Sequence, residues 1–282
     1  MVIRNLQVKS LICLIVLDTC IINAQDTYFQ QEVNYRIDVT LDDSRNQLHA
    51  FEEIEYINNS PDTLAILYFH LWPNAYSSNR TDLARQLLTI GGKQKLFKDP
   101  RHRGWIDSLD FRVNNMQAET ELLPGQPDIC IIKLPASIYP GDTIYISTPF
   151  RVKVPEGNIS RMGLADGAYQ ISQWYPKPAV FDLDGWHPMP YLDQGEFYSE
   201  FGKYDVTINL QEDYVVGASG DLQTVSEEAW LNETASQWRV PSIEQNRPSS
   251  LKTIHFTGEN IHDFAWVAGK GFRALTGKII LP

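Results

Sequence analysis

The residues best suited by type to do chemistry lie between Tyr169 and Gly202, in the run YQISQWYPKPAVFDLDGWHPMPYLDQGEFYSEFG. His187, between Trp186 and Pro188, could move a proton near neutral pH. A lone histidine in an aromatic loop is nevertheless more often a hydrogen-bonded structural residue. Asp182, Asp184 and Gly185 begin like a calcium loop, but the later ligands are missing, so the stretch reads as a turn. Trp174, Tyr175, Phe181, Trp186, Tyr191, Phe197, Tyr198 and Phe201 share the segment with Pro176, Pro178, Pro188 and Pro190. Those prolines remove backbone donors and fix φ, which predicts shaped loop rather than regular strand or helix. Rings held on a stiffened loop can line a cleft or stack on a flat ligand. The plainer reading is a loop that seals one end of a β-sandwich.

Other chemistry is thin. The six histidines never form H-E-x-x-H, and G-x-S-x-G, phosphate-loop and G-x-G-x-x-G patterns are missing. Glu52, Glu53 and Glu55 offer carboxylates for a glycosidase pair, but charges alternating on the solvent face of a strand account for them more simply. Cys13 and Cys20 fall in the leader, which leaves Cys130 in the apolar run Ile129-Cys130-Ile131-Ile132 as a small buried hydrophobe. From the residues alone no catalytic centre can be assembled.

The elements that must position these residues begin after a leader. Arg4 and Lys9, a short apolar stretch from Leu11 to Ile22, and Ile22-Asn23-Ala24 have the layout of a secretory signal peptide over 1–24. A lipoprotein reading through Cys20 is weaker, because Asp18 and Thr19 stand where small residues belong. The mature chain, 25–282, is then expected to be exported, periplasmic or extracellular, and without a membrane span. Without Arg4, Lys9 and Asp18 the chain keeps 22 basic and 34 acidic residues, a formal charge of −12. That sign argues against nucleic acid and anionic membranes as partners.

Strand signals dominate the rest. Tyr35, Ile37, Val39 and Leu41 alternate with polar residues, a turn at Asp42–Asn46 follows, and a second strand runs from Leu48 to Ile57. Asn58-Asn59-Ser60-Pro61-Asp62 and Pro140-Gly141-Asp142 are turn clusters. Further strands are expected at 64–71, 105–113, 129–134, 143–154, 203–210, 236–240, 251–256 and 263–268. A single short helix is expected at 82–88, capped by Thr81 and stopped by Gly91-Gly92, ahead of a charged insertion at 93–103. The pattern predicts an all-β protein, an antiparallel saddle-like β-sandwich with one short helix in an insertion.

In order along the chain, Tyr35–Asp42, Phe51–Tyr56, Phe69-His70-Leu71-Trp72-Pro73-Asn74, Tyr139–Asp142, Gln173-Trp174-Tyr175-Pro176, Gly185-Trp186-His187, Gly195-Glu196-Phe197, Tyr214–Leu222 and Asp263–Ala268 resemble the N-terminal domain of aminopeptidase-N-type zinc metallopeptidases, a gluzincin family. The likeness is to its bacterial exported branch and covers nearly the whole mature chain. It implies a saddle-like, non-catalytic domain that lines the peptide cleft of a thermolysin-like catalytic domain. Zinc, the general base and the G-x-M-E-N loop would belong to that partner, and none of them is matched here. The chain alone is therefore expected to be inactive, a truncated product holding the leader and the wall. The family's T-Q-x-E loop, whose last residue grips a substrate's free α-amine, is best matched by Ser172-Gln173-Trp174-Tyr175. Gln173 fits; Tyr175 stands where the acid or amide belongs, and Glu196 could substitute if its loop folds back. The competing reading is a stand-alone exported carbohydrate- or peptide-binding module in which Trp174, Tyr175, Trp186 and Tyr191 stack on the ligand. A third makes the rings core.

Overall fold

Period-two alternation over Glu32–Asp42 and Gln47–Ile57 forces both segments to put one face in the core, and they pair in register from Glu32↔Ile57 to Asp42↔Gln47. The computed structural model describes residues 28–90, 97, 99–157, 159–236 and 250–275. The leader with Cys13 and Cys20, the Gly91-Gly92 stop, residues 93–96 and 98 of the expected insertion, and all but the first residue of the strand expected at 236–240 lie outside those residues.

Among the described residues three larger sheets carry the fold, beside a two-stranded hairpin of Phe181–Asp182 and Gly185–Trp186. The largest has nine strands, running Asp221–Leu222, Leu251–Ile261, Gly202–Gln211, Glu32–Asp42, Gln47–Ile57, Thr143–Lys153, Arg112–Val113, Met116–Gln117, with Trp105–Asp107 also on Thr143–Lys153. Every pair in it is antiparallel except Glu32–Asp42 with Gly202–Gln211. A second sheet joins Lys177–Pro178, Leu64–His70, Gln126–Ile138 and Glu119–Leu123, and a third joins Gly163–Ala165, Ala168–Ile171, Trp266–Gly269 and Val215–Ala218. The architecture is all-β with an unclosed sandwich, as the strand pattern requires.

The turns form as their chemistry dictates. Asn58 Oδ1 accepts from the Ser60 amide at 3.2 Å and from Ser60 Oγ at 2.6 Å, closing the turn between second and third strands. Gly141 takes φ 84°, where only glycine sits without strain, and Asp142 Oδ2 accepts the Tyr139 amide at 2.7 Å. Thr81 caps the helix Asp82–Ile90, its Oγ1 accepting the Ala84 amide at 3.3 Å.

Two local expectations need correction. Val225–Ser236 is a further helix among the described residues, so Ser236 ends a helix rather than opening a strand. Its sequence has no apolar stripe, which is why periodicity misses it; Lys252 holds it, 2.6 Å from Glu227 and 4.2 Å from the Trp230 ring. Glu52 does not face solvent. It occupies the inner face between Thr148 and Ile37 and is fully buried. The inner face runs in rows: Phe150, Ala50, Val39, Ile208, Ile254; then Thr148, Glu52, Ile37, Val206, Phe256; then Ile146, Ile54, Tyr35, Tyr204. A carboxyl in the middle of that surface breaks the rule the neighbouring positions obey.

Candidate functional site

The aromatic run folds inward. After the strand Ala168–Ile171 the chain passes Ser172, and Gln173 takes a left-handed φ of 55°, which turns the next two rings down onto the large sheet. Trp174 lies over Phe150 with centroids 5.9 Å apart and stands 6.3 Å from Trp266, edge to face. Tyr175 packs edge-on against Tyr35 at 5.5 Å, and Tyr35 stacks on Tyr204 at 4.5 Å. Trp174, Tyr175, Phe181 and Tyr191 are buried, Trp186 and Phe197 half-buried, and Tyr198 and Phe201 exposed. The stacking module expected on Trp174, Tyr175, Trp186 and Tyr191 is thereby corrected: three of its four rings have no face open to a ligand. Apolar area gains more from a β core than from water, and the proline-fixed loop delivers the rings there.

Beneath this corner lies a buried polar hub. Asp263 Oδ1 stands 2.7 Å from the Tyr175 hydroxyl and 3.1 Å from Lys177 Nζ, while Oδ2 accepts Gln173 Nε2 at 2.7 Å. Lys177 Nζ also donates to the His262 carbonyl at 2.5 Å, and the Tyr204 hydroxyl is 3.0 Å from that of Tyr175. Lys177 is 2% exposed and Asp263 12%, so a full ion pair is held almost out of water. Burial lowers the lysine pKa, and Asp263 opposes that shift. Burial first, and Asp263 second, push the Tyr175 phenol well above its ordinary value. His70 lies near the same charge. Burial and then Lys177 drive its pKa down to about 3, so the ring is neutral and its Nε2 accepts the Met189 amide at 3.1 Å.

Of the residues expected to bind substrate, Tyr175 is the one the geometry removes. Its hydroxyl donates into the hub, its ring is 1% exposed, and it works as a strut. Gln173 is 9% exposed, its amide nitrogen is spent on Asp263, and its Oε1 is buried without a partner among the described residues. Glu196 is exposed on its own loop. Arg161 connects the two loops: its carbonyl accepts Ser172 Oγ at 2.7 Å, its Nη1 donates to the Leu192 carbonyl at 3.1 Å, and its guanidinium lies 4.8 Å over the Phe197 ring. Beside this corner an open groove of about 510 Å³ runs over the third sheet, lined by Arg161, Gln170, Ser172, Gly217, Trp266 and Val267, among others.

His187 is likewise structural in its contacts. Its Nε2 is 2.7 Å from Asp182 Oδ1, whose second oxygen accepts the Tyr198 hydroxyl at 2.9 Å. The Asp184 amide donates to Asp182 Oδ1 at 2.9 Å and Gly185 takes φ 98°, so the calcium-like start is a hairpin turn. Among the described residues no three His, Cys, Asp or Glu side chains come close enough to hold a metal ion. Sequence reading missed Asp263, Lys177 and His70. Their signal was a charged or polar group set within apolar and aromatic neighbours, in YPKP, DFAW and FHLW.

No protein-family model and no curated protein sequence matches the chain. Solved structures similar to it include an M1 zinc metallopeptidase from Deinococcus radiodurans, at 11% identity and a TM-score of 0.46, covering 85% of this chain and 42% of that one. Two-domain M1 zinc metallopeptidase mutants bound to L-arginine and to L-tryptophan give the same identity and score, with 42% and 43% of their lengths covered. The chain thus spans less than half the length of these structures. A likeness at this level assigns neither an activity nor site residues.

Proposed function

We propose that this chain is the non-catalytic N-terminal β domain of an exported zinc aminopeptidase-like protein, lining the peptide cleft of a separate catalytic domain. The ordered set of motifs from Tyr35 to Ala268 motivates the reading. The observation that carries it is the corner at Gln173. A strained left-handed residue, pinned from below by Asp263, stands beside an open groove, and such strain persists only where surrounding structure holds it. In this reading Ser172, which lines the groove, faces the N-terminal end of a peptide, Gln173 shapes the corner that presents it, Glu196 contributes negative charge from its exposed loop, and Tyr175 and Lys177 hold the floor. Zinc chemistry would belong to the partner domain, and no step of it is assigned to this chain.

The test has two arms. The purified chain should not hydrolyse aminoacyl reporter substrates in a chelator-sensitive way, and robust hydrolysis of that kind would end the proposal. Mixed with a separately expressed H-E-x-x-H catalytic domain of the same family, it should raise aminopeptidase turnover. Gln173→Ala should lose most of that gain, and an unchanged rate with or without the chain would equally refute the cleft-lining role.

A further inference from the structure

The outer face of the nine-stranded sheet carries a groove of about 800 Å³, on a different surface from the Gln173 corner. That volume is in the range of small-ligand sites. Its floor is built by strand register. Asn34 pairs with Glu55 and Glu55 with Tyr145, so three side chains cross three strands in one row. They are tied together: the Tyr145 hydroxyl donates to Glu55 Oε1 at 3.1 Å, and Asn34 Nδ2 donates to Glu55 Oε2 at 2.9 Å. Asn34 Oδ1 accepts the Lys203 amide at 3.0 Å, extending the row to a fourth strand.

One wall is equally fixed. Asn114 and Asn115 take φ of 49° and 65°, the geometry of a tight hairpin turn between Arg112–Val113 and Met116–Gln117. The Asn114 amide donates to the Tyr145 carbonyl at 2.8 Å while Asn114 Oδ1 accepts the Tyr145 amide at 3.0 Å. This clasp sets the hairpin beside the Tyr145 ring, which stays 59% exposed with its hydroxyl held. An aromatic plane with a locked rotamer costs little entropy on binding.

The remaining groups define the ligand. Arg36 and Lys203 face Glu53, Glu55 and Asp205, so the groove has both signs and a small carboxylate excess. That balance selects against phosphates and polyanions. Asn115, Ser147 and Lys203 contribute side-chain donors and acceptors that are not engaged with other described side chains. A flat ring flanked by amides, hydroxyl and carboxylates matches a ligand with an apolar face and an edge of hydroxyls. We propose that this groove binds a neutral oligosaccharide, stacked on Tyr145 and hydrogen-bonded by Asn115, Ser147 and Lys203. It is independent of the cleft-lining role: a domain could hold a glycan on this face whether or not it walls a peptidase.

The experiment is calorimetric titration of the full chain with cellohexaose, xylohexaose, chitohexaose, laminarihexaose and maltohexaose. At least one should bind, with affinity unchanged between about 0.05 and about 0.5 M salt, since screening acts only on charged ligands. Tyr145→Ala should weaken it at least about tenfold, Asn115→Ala should also weaken it, and Tyr145→Phe should retain it. The aromatic is exposed, so the melting temperature of each variant reports that the fold is intact. Failure of every sugar to bind at millimolar concentration overturns the proposal. So do binding that survives Tyr145→Ala, and binding that added salt abolishes.

Discussion

Replacing Glu52 with glutamine should stabilise the protein at neutral pH and do nothing in acid. Both carboxyl oxygens of Glu52 are buried without a hydrogen-bond partner among the described residues, in the row between that of Phe150 and that of Tyr35 and Tyr204. Burial raises its pKa well above the ordinary carboxyl range, so the folded protein holds it as the neutral acid. The unfolded chain ionises it near the usual value of about 4.3. For a raised acid, its contribution to stability is fully present below that unfolded value and is lost as pH rises toward the folded one. The loss is about 1.4 kcal/mol for each pH unit above the unfolded value, up to the folded one. Glutamine has nearly the shape of the neutral acid and no proton to lose. Urea denaturation of parent and Glu52→Gln, followed by tryptophan fluorescence, should give equal stabilities near about pH 4 and a gap that widens at that rate toward about pH 7. A gap that stays constant with pH would mean that Glu52 is ionised and paired in the fold, and the account of the inner face would be wrong.

Other outcomes follow from the same packing. Asp263→Asn leaves the Lys177 ammonium buried with only a carbonyl, and should cost about 3–5 kcal/mol. Adding Lys177→Met should recover much of that, and a double variant no better than the single would deny that the two charges are coupled. Because the folded pKa of His70 is depressed to about 3, its contribution is present above the ordinary histidine value and is lost as pH falls. Its imidazole resonances should therefore stay flat by NMR from about pH 8 to about pH 5, where an exposed histidine would titrate. Gly202→Ala would set a methyl 1.7 Å from the Val33 carbonyl in the parallel strand pair, so soluble, folded protein should not be recovered. The Cys130 thiol, pushed up to about 11 by burial, should react with a thiol reagent only after denaturation.

Strand period, turn chemistry and the cap at Thr81 were legible in the sequence, because each depends on residues within a few positions of one another. So was the all-β class: Tyr35, Ile37, Val39 and Leu41 can hide on one face only as a strand. The segment 169–202 marked itself as special through its prolines and rings. What those rings do was not readable locally. Exposed stacking and buried core need the same residue types, and the choice fell to Gln173, whose left-handed turn sends Trp174 and Tyr175 onto the large sheet. The hub was invisible for a related reason, since Gln173, Tyr175, Lys177 and Asp263 are up to 90 residues apart and meet only when two sheets close. Glu52 carries the same lesson in reverse. Alternation places it on the inner face, and charge alone suggested the outer one; strand register decided, because a one-residue slip would have exposed Ile54 and Tyr56. Local sequence fixes conformation, whereas the protonation and contacts of a polar group depend on which distant segments exclude water from it.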